Sequence, residues 1–204
     1  MKKYIILSLI TLCFSCQNRP DRDKNIIDLE NFDLNFNVEE FYSKYIEEIK
    51  QTYYIQDIEY DDSIVGTWYR MIGLLKNPPY AYYEDKNFNM IDIIKSDVNK
   101  NEFMALLASN YKIPAADFNK LLKTLTNKYE KPQICDLLIY KGHTYTWILN
   151  DRLIVYSYNE YGKPSIVNET FYIINKKYIP VLKKHSYSGE WYFLNPYNSC
   201  NELR

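Results

Sequence analysis

Between Val38 and Tyr53 the side chains Val38, Phe41, Tyr42, Tyr45, Ile46, Ile49 and Tyr53 return at intervals of three and four residues, which places them on one stripe of a helix. Asn37 stands where an N-cap acceptor is needed, and Glu39 and Glu40 suit the positive end of the helix dipole. Ile55 to Tyr60 alternates like a short strand. Ser63 to Leu75 is a second apolar segment, with Ser63 in an N-cap position and Asn77-Pro78-Pro79 as a stop, although Gly66 and Gly73 weaken a helix there. Asn99 to Tyr111 reads as a helix opened by Asn99 and, three residues on, Glu102. Pro114 to Tyr129 reads as another, with Pro114 in its first turn and Phe118, Leu121, Leu122, Leu125 and Tyr129 as its buried stripe.

After Pro132 the period falls from about 3.6 to about 2. Ile134 to Tyr140 and His143 to Leu149 form a predicted hairpin around Lys141-Gly142. Leu153 to Tyr158, Ser165 to Ile174 and a strand ending at Trp191-Tyr192-Phe193 continue it, while Pro180 keeps Tyr178 to Tyr187 out of a central strand position. Helices first and strands second predict an α+β fold: N-terminal helices followed by an antiparallel β-meander packed on a helix. Residues 37–204 are expected to form a single domain, helical over 37–131 and a meander over 132–204. The run Leu125 to Pro132 with the Trp147-containing hairpin resembles a helix–Tyr–Pro–hairpin module that recurs in small exported bacterial proteins of unknown role.

The first residues change the picture from a fold to an address. Lys2 and Lys3 precede an apolar run from Tyr4 to Phe14, the pattern of a secretory signal too short to span a bilayer permanently. Leu12-Cys13-Phe14-Ser15-Cys16 resembles the lipobox of bacterial lipoproteins, in the loose form common among Bacteroidota. That resemblance implies a signal peptide over 1–15, cleavage before Cys16 and lipid on the Cys16 sulfur. It also implies residence at a membrane, the outer membrane facing the periplasm by default and the cell surface as the alternative. Residues 16–36 are then expected to be a tether, polar at its start and broken by Pro20.

Cleavage would remove Lys2 and Lys3 and leave 23 basic against 26 acidic residues, a net charge of −3. So even a balance argues against nucleic acid and against electrostatic membrane binding. With five glycines in the chain and no phosphate-cradling loop, a nucleotide is not expected either. The 22 tyrosines accompany abundant Asn, Ile and Lys, whose codons are AT-rich, so most read as amphipathic filler.

Candidate chemistry is sparse. His143 and His185 lie in no metal-ligand spacing, there is no C-x-x-C, and neither a metal nor a cofactor is expected. With Cys16 lipidated, Cys135 and Cys200 remain as either a disulfide or two buried thiols. A Cys135–His185 nucleophile pair has no local support. Asp57, Glu59 and Asp61 share a strand face, with Asp62 adjacent; this carboxylate group is a solvated strand edge, with calcium binding, which would also need a turn residue such as Gly in the cluster, and the acid/base pair of a glycosidase-type hydrolase as the alternatives. Asp62-Ser63-Ile64 resembles the O-glycosylation sequon of exported Bacteroidota proteins, which implies a sugar on Ser63 unless Ser63 caps a helix. Tyr145 with Trp147, and Tyr156 with Tyr158, form either a core face beneath the helix or an exposed platform for sugar rings or a partner. The expected function is non-enzymatic: a lipid-anchored envelope protein that binds another protein, as an accessory subunit or an immunity-type inhibitor. A carbohydrate-binding lipoprotein and a hydrolase using Asp57 to Asp62 are the alternatives.

Overall fold

The computed structural model describes residues 26–43, 53–60, 63–71, 80–99, 102–137 and 141–185. Its elements are β1 (Ile27–Asp28), α1 (Val38–Ser43), β2 (Tyr53–Tyr60), β3 (Ser63–Met71), β4 (Ala81–Tyr83), β5 (Lys86–Phe88), β6 (Met90–Ser96), β7 (Phe103–Pro114), α2 (Ala115–Tyr129), β8 (Gln133–Asp136), β9 (Gly142–Ile148), β10 (Arg152–Tyr161), β11 (Lys163–Asn175), a 3-10 turn (Lys176–Tyr178) and α3 (Ile179–His185). Eight strands form one sheet in the order β2-β3-β6-β7-β11-β10-β9-β8, and β1, β4 and β5 form a small second sheet. Neighbours in the large sheet are antiparallel throughout, so it is two meanders whose last strands, β7 and β11, pair at its centre.

Strand alternation divides the core between two faces. Ile91, Ile93, Leu106, Ala108, Tyr156, Phe171 and Ile173 belong to one, where they meet Phe118, Leu121 and Leu125 of α2, the small sheet and α1. Ile94, Ala105, Leu107, Val155, Tyr172 and Ile174 belong to the other, with Tyr178 of the 3-10 turn and Leu182 of α3. The dominant architecture is therefore an antiparallel sheet with helices laid on it, which overturns the helix-led α+β expectation.

The errors have physical causes. Asn99 to Tyr111, expected as a helix, contributes strand β7 from Phe103 onward. Phe103 to Asn110 is buried at every residue because β7 is central and covered on both faces. Such a strand shows no alternation, and its Met, Ala and Leu are good helix formers. Asn99 and Glu102, expected to open that helix, instead make the β6–β7 turn: Glu102 N–H donates to Asn99 O at 3.1 Å, and Asn99 N–H to Ser96 Oγ at 3.2 Å. Ser63 to Leu75 is likewise not helical; β3 occupies it to Met71, and residues 72–75 lie outside the described residues. Gly66 is there for closeness, since a Cβ would stand 2.6 Å from Lys95 O. The helix expected over Val38 to Tyr53 is described only as Val38–Ser43, capped by Asn37 Oδ1 accepting from Glu40 N–H at 3.1 Å, and Tyr53 already begins β2. The hairpin β4–β5 and strand β6 had no counterpart in the sequence reading.

Part of the segment expected as a tether, residues 16–36, is folded. Ile27, Leu29 and Phe32 are buried in the first face, and β1 pairs in parallel with β4. Arg152 Nη1 donates to Phe32 O at 2.6 Å, and Lys128 Nζ pairs with Glu30 at 3.2 Å. Burying one such apolar side chain contributes about 1.5–3 kcal/mol, so residues from Ile27 onward belong to the folded domain. The elements after Pro114 follow the sequence more closely. α2 buries Phe118, Leu121 and Leu125, and β8 to β11 follow as a meander.

Candidate functional site

The aromatic platform is core. Trp147 and Tyr156 are 2% and 0% exposed, and Tyr145 and Tyr158 are partly buried against the same cluster. Phe118 of α2 stacks on Tyr156 at 4.3 Å and lies 4.8 Å from Tyr158. Trp147 Nε1 donates to Glu130 O at 3.0 Å, fastening the end of α2 to the sheet. These four residues therefore hold the helix down and do not present a flat surface to sugar rings.

The other sequence candidates scatter. Cys135 is disulfide-bonded, which removes it as a thiol nucleophile; Cys16 and Cys200 lie outside the described residues. His143 Nδ1 stands 2.7 Å from Asp136 Oδ1 on the β8–β9 hairpin, with that aspartate side chain 73% exposed. His185 closes α3. Asp57 and Glu59 lie on β2, an edge strand of the large sheet, while Asp61 and Asp62 lie outside the described residues. Ser63 begins β3 opposite Tyr60, so it heads a strand and caps no helix. Among the described residues no three of His, Cys, Asp and Glu gather as metal ligands, and no helix is long and apolar enough to cross a membrane.

Two arrangements do emerge. The first is inside the molecule. Glu169 of β11 is fully buried on the α2 face. Its Oε1 accepts from Asn110 Nδ2 at 2.8 Å and meets Lys86 Nζ at 2.9 Å, and its Oε2 accepts a short bond from Tyr156 Oη. Asn110 Nδ2 also donates to Asn87 O at 2.8 Å, and Asn110 Oδ1 accepts from Asn89 N–H at 3.0 Å. Burial, and then the Glu169 charge, push the Tyr156 phenol well above its ordinary pKa, so it remains a donor. Both carboxylate oxygens are engaged, and the network clamps the β4–β5 hairpin to the large sheet. A sequence signal existed: Glu169 falls at the inward parity of Val167, Phe171 and Ile173, where a carboxylate demands partners.

The second arrangement opens to the surface. A cleft of about 700 Å³ lies between the Leu34–Asn37 loop, α1 and the β6–β7 turn. Asn35, Asn37, Glu39, Glu40, Asn99 and Glu102 supply its polar wall. A notch of about 180 Å³, lined by Asp28, Asp33, Phe32 and Phe41 among others, lies across the same loop, and Phe36 borders both. Among the described residues, the lining of the two hollows carries five carboxylates and no Lys, Arg or His. Several acceptors are held from behind. Lys95 Nζ bonds Glu39 at 2.6 Å and Asp97 at 3.3 Å; burial works against its charge, but these partners and Tyr69 outweigh it and hold its pKa above the usual lysine value. Lys177 Nζ at 2.6 Å and Tyr178 Oη at 2.7 Å both donate to Glu102, and hold its carboxyl below the ordinary range. Asp28 is pushed up by burial, yet bonds from Asn31, Tyr82 and the Glu30 N–H bring it below its usual value. The sequence marked Glu39 and Glu40 only as first-turn acids, because their meeting with Glu102 depends on long-range packing.

Comparison with family models, with curated proteins and with solved structures returns no match for this chain.

Proposed function

We propose that the protein is a lipid-anchored envelope lipoprotein that acts by binding another protein, as an accessory subunit or an immunity-type inhibitor, and that the cleft beside α1 receives a basic segment of that partner. The observation that carries this reading is the cleft and its notch: five carboxylates, two of them oriented from behind by Lys95 and Lys177, with aromatic side chains alongside. Acceptors already fixed by Lys95, Lys177 and Tyr178 lose little freedom when a ligand arrives, which favours binding. Lysine and arginine side chains of a partner would add donors on the open side of such a wall.

The anchor supports the same reading. With lipid on Cys16 and Ile27 held in the core, the connecting chain could reach no more than about 40 Å, so a partner on the same membrane would meet the domain at high local concentration. A disulfide at Cys135 suits an oxidising compartment. The carbohydrate-binding alternative loses its aromatic platform to the core.

The test places a photo-crosslinking amino acid at Asn35, on the rim of the cleft, in the producing cell. A discrete adduct with one envelope protein, lost when Glu40 is changed to Lys, is the expected result. Absence of any adduct from Asn35 and from a second position at Ser43 would reject the cleft as the binding site.

A further inference from the structure

At the opposite end of β7 from the cleft, a β-bulge in β7 meets the irregular closing end of the β10–β11 hairpin. Tyr111 and Lys112 of β7 together face a single residue of β11, Asn168, and the β10–β11 pairing slips between Glu160 and Tyr161. Lys112 has φ of 57°, the left-handed conformation for which a bulge ordinarily uses glycine. The surroundings hold it there: Lys112 N–H donates to Asn168 Oδ1 at 3.0 Å, and Asn168 Nδ2 donates to Asn159 Oδ1 at 3.0 Å. One pair further in, Asn110 and Glu169 make the buried network and give the bulge a rigid floor.

Glycine would meet this backbone demand without strain. What lysine adds is a cation set 4.6 Å from the centre of the Tyr161 ring, and that ring is 49% exposed. A strained residue that persists where glycine fits points to a use for its side chain. The local charge agrees. Lys163 is exposed at the tip of the same hairpin, and the Lys141 backbone is bonded to that of Glu160, so three lysines accompany two carboxylates, Glu160 and Asp136, on a chain of net charge −1.

We propose that Lys112 and Tyr161 form a second docking surface, which takes an acidic segment of a partner protein. A carboxylate approaching the Lys112 ammonium finds its donor beside the Tyr161 ring, and the exposed face of Tyr161 supplies contact area at low entropic cost. This inference rests on the protein being a binder of proteins, but not on the acidic cleft.

The test titrates fluorescent hexaglutamate and hexalysine peptides against the full-length protein in an uncharged detergent at low salt. Wild type is expected to bind hexaglutamate. Lys112→Gly and Tyr161→Ser should each weaken that binding tenfold or more, while Lys112→Arg keeps it. Lys112→Gly should melt at or above the wild-type temperature, because glycine relaxes the left-handed backbone. Hexalysine binding, which reports the cleft, should be unchanged in all three. No hexaglutamate binding by wild type, or equal binding by Lys112→Gly, overturns the proposal. Failure of hexalysine alone would instead count against the cleft.

Discussion

Replacing Lys86 by Met tests whether the buried Glu169 clamp is a charged interaction that holds the two sheets together. The wild-type carboxylate is 0% exposed and has three donors, of which only Lys86, 2.9 Å away, carries charge. Without it a full negative charge would remain inside the core with the Tyr156 hydroxyl and the Asn110 amide as its neutral donors. Removing one partner from a buried pair costs about 3–5 kcal/mol. The lower half of that range applies here, because the Lys86 side chain is 20% exposed and its loss recovers some hydration cost. Glu169→Gln should cost less, about 2 kcal/mol, since the amide still accepts one bond and Lys86 can turn toward water. Combining Lys86→Met with Glu169→Gln should then cost much less than the two single changes added together, because the double variant buries no charge. Urea unfolding of the purified protein measures all three. With a slope of about 2–3 kcal/mol per molar, Lys86→Met should lower the midpoint by at least about 1 M with the slope unchanged. A loss below about 1 kcal/mol, or strict additivity in the double variant, would refute the clamp.

Gly142→Ala should be severe: a Cβ there would lie 1.9 Å from Tyr158 O, so β9 and β10 must part, at about 3 kcal/mol or more, and amide exchange in β9 would report it. The depressed pKa of Glu102 predicts stability that is present above its ordinary value of 4.5 and is lost as pH falls through the lower folded value; Glu102→Gln should flatten thermal stability across that acid range, and an unchanged profile would reject the Lys177–Tyr178 contacts as the cause. Peptide mapping without reduction should join the Cys135 peptide to the Cys200 peptide; that bridge would close a loop of about 66 residues and contribute roughly 4 kcal/mol, and two free thiols in the unfolded protein would exclude it. Metabolic labelling with a fatty-acid analogue should mark the wild type and leave Cys16→Ala unmarked and released from the membrane fraction.

Legibility in the sequence followed solvent exposure. The helix Ala115–Tyr129 has one polar and one apolar face, so its period is written plainly; β10 and β11 are buried on both faces over Leu153–Ser157 and Phe171–Asn175, and their β-branched and aromatic residues mark them as strands. Strand β7 is covered on both faces, and its run of Phe, Met, Ala and Leu carries no period at all. Gly66 pointed away from a helix, and its actual reason, the close approach of the β6 backbone at Lys95, is a tertiary fact. The segment from Ile27 to Phe36 looked like tether because its apolar residues are interleaved with Asp, Glu and Asn; the structure sends Ile27, Leu29 and Phe32 inward and satisfies Asp28 and Asp33 through local bonds to Asn31 and Asn35.

The candidate surfaces were less legible than the fold, for a related reason. Sequence reasoning favours residues that are neighbours in the chain, such as Asp57 to Asp62 or Tyr145 with Trp147. The groups that meet are far apart: Glu39 with Lys95, Glu102 with Lys177, Lys86 with Glu169, and Lys112 with Tyr161. Glu39 with Lys95 joins α1 to β6 within the first half of the chain, and the other three pairs join segments that become adjacent only once the two meanders dock through β7 and β11. That strand carries Phe103 of the acidic cleft near one end and Lys112 of the basic bulge near the other. A rigid central strand between two surfaces of opposite sign fixes their separation at about 3.3 Å per residue, or roughly 30 Å over Phe103 to Lys112. A partner that engages both must therefore present its basic and acidic segments at that spacing, which is a requirement on geometry as well as on charge.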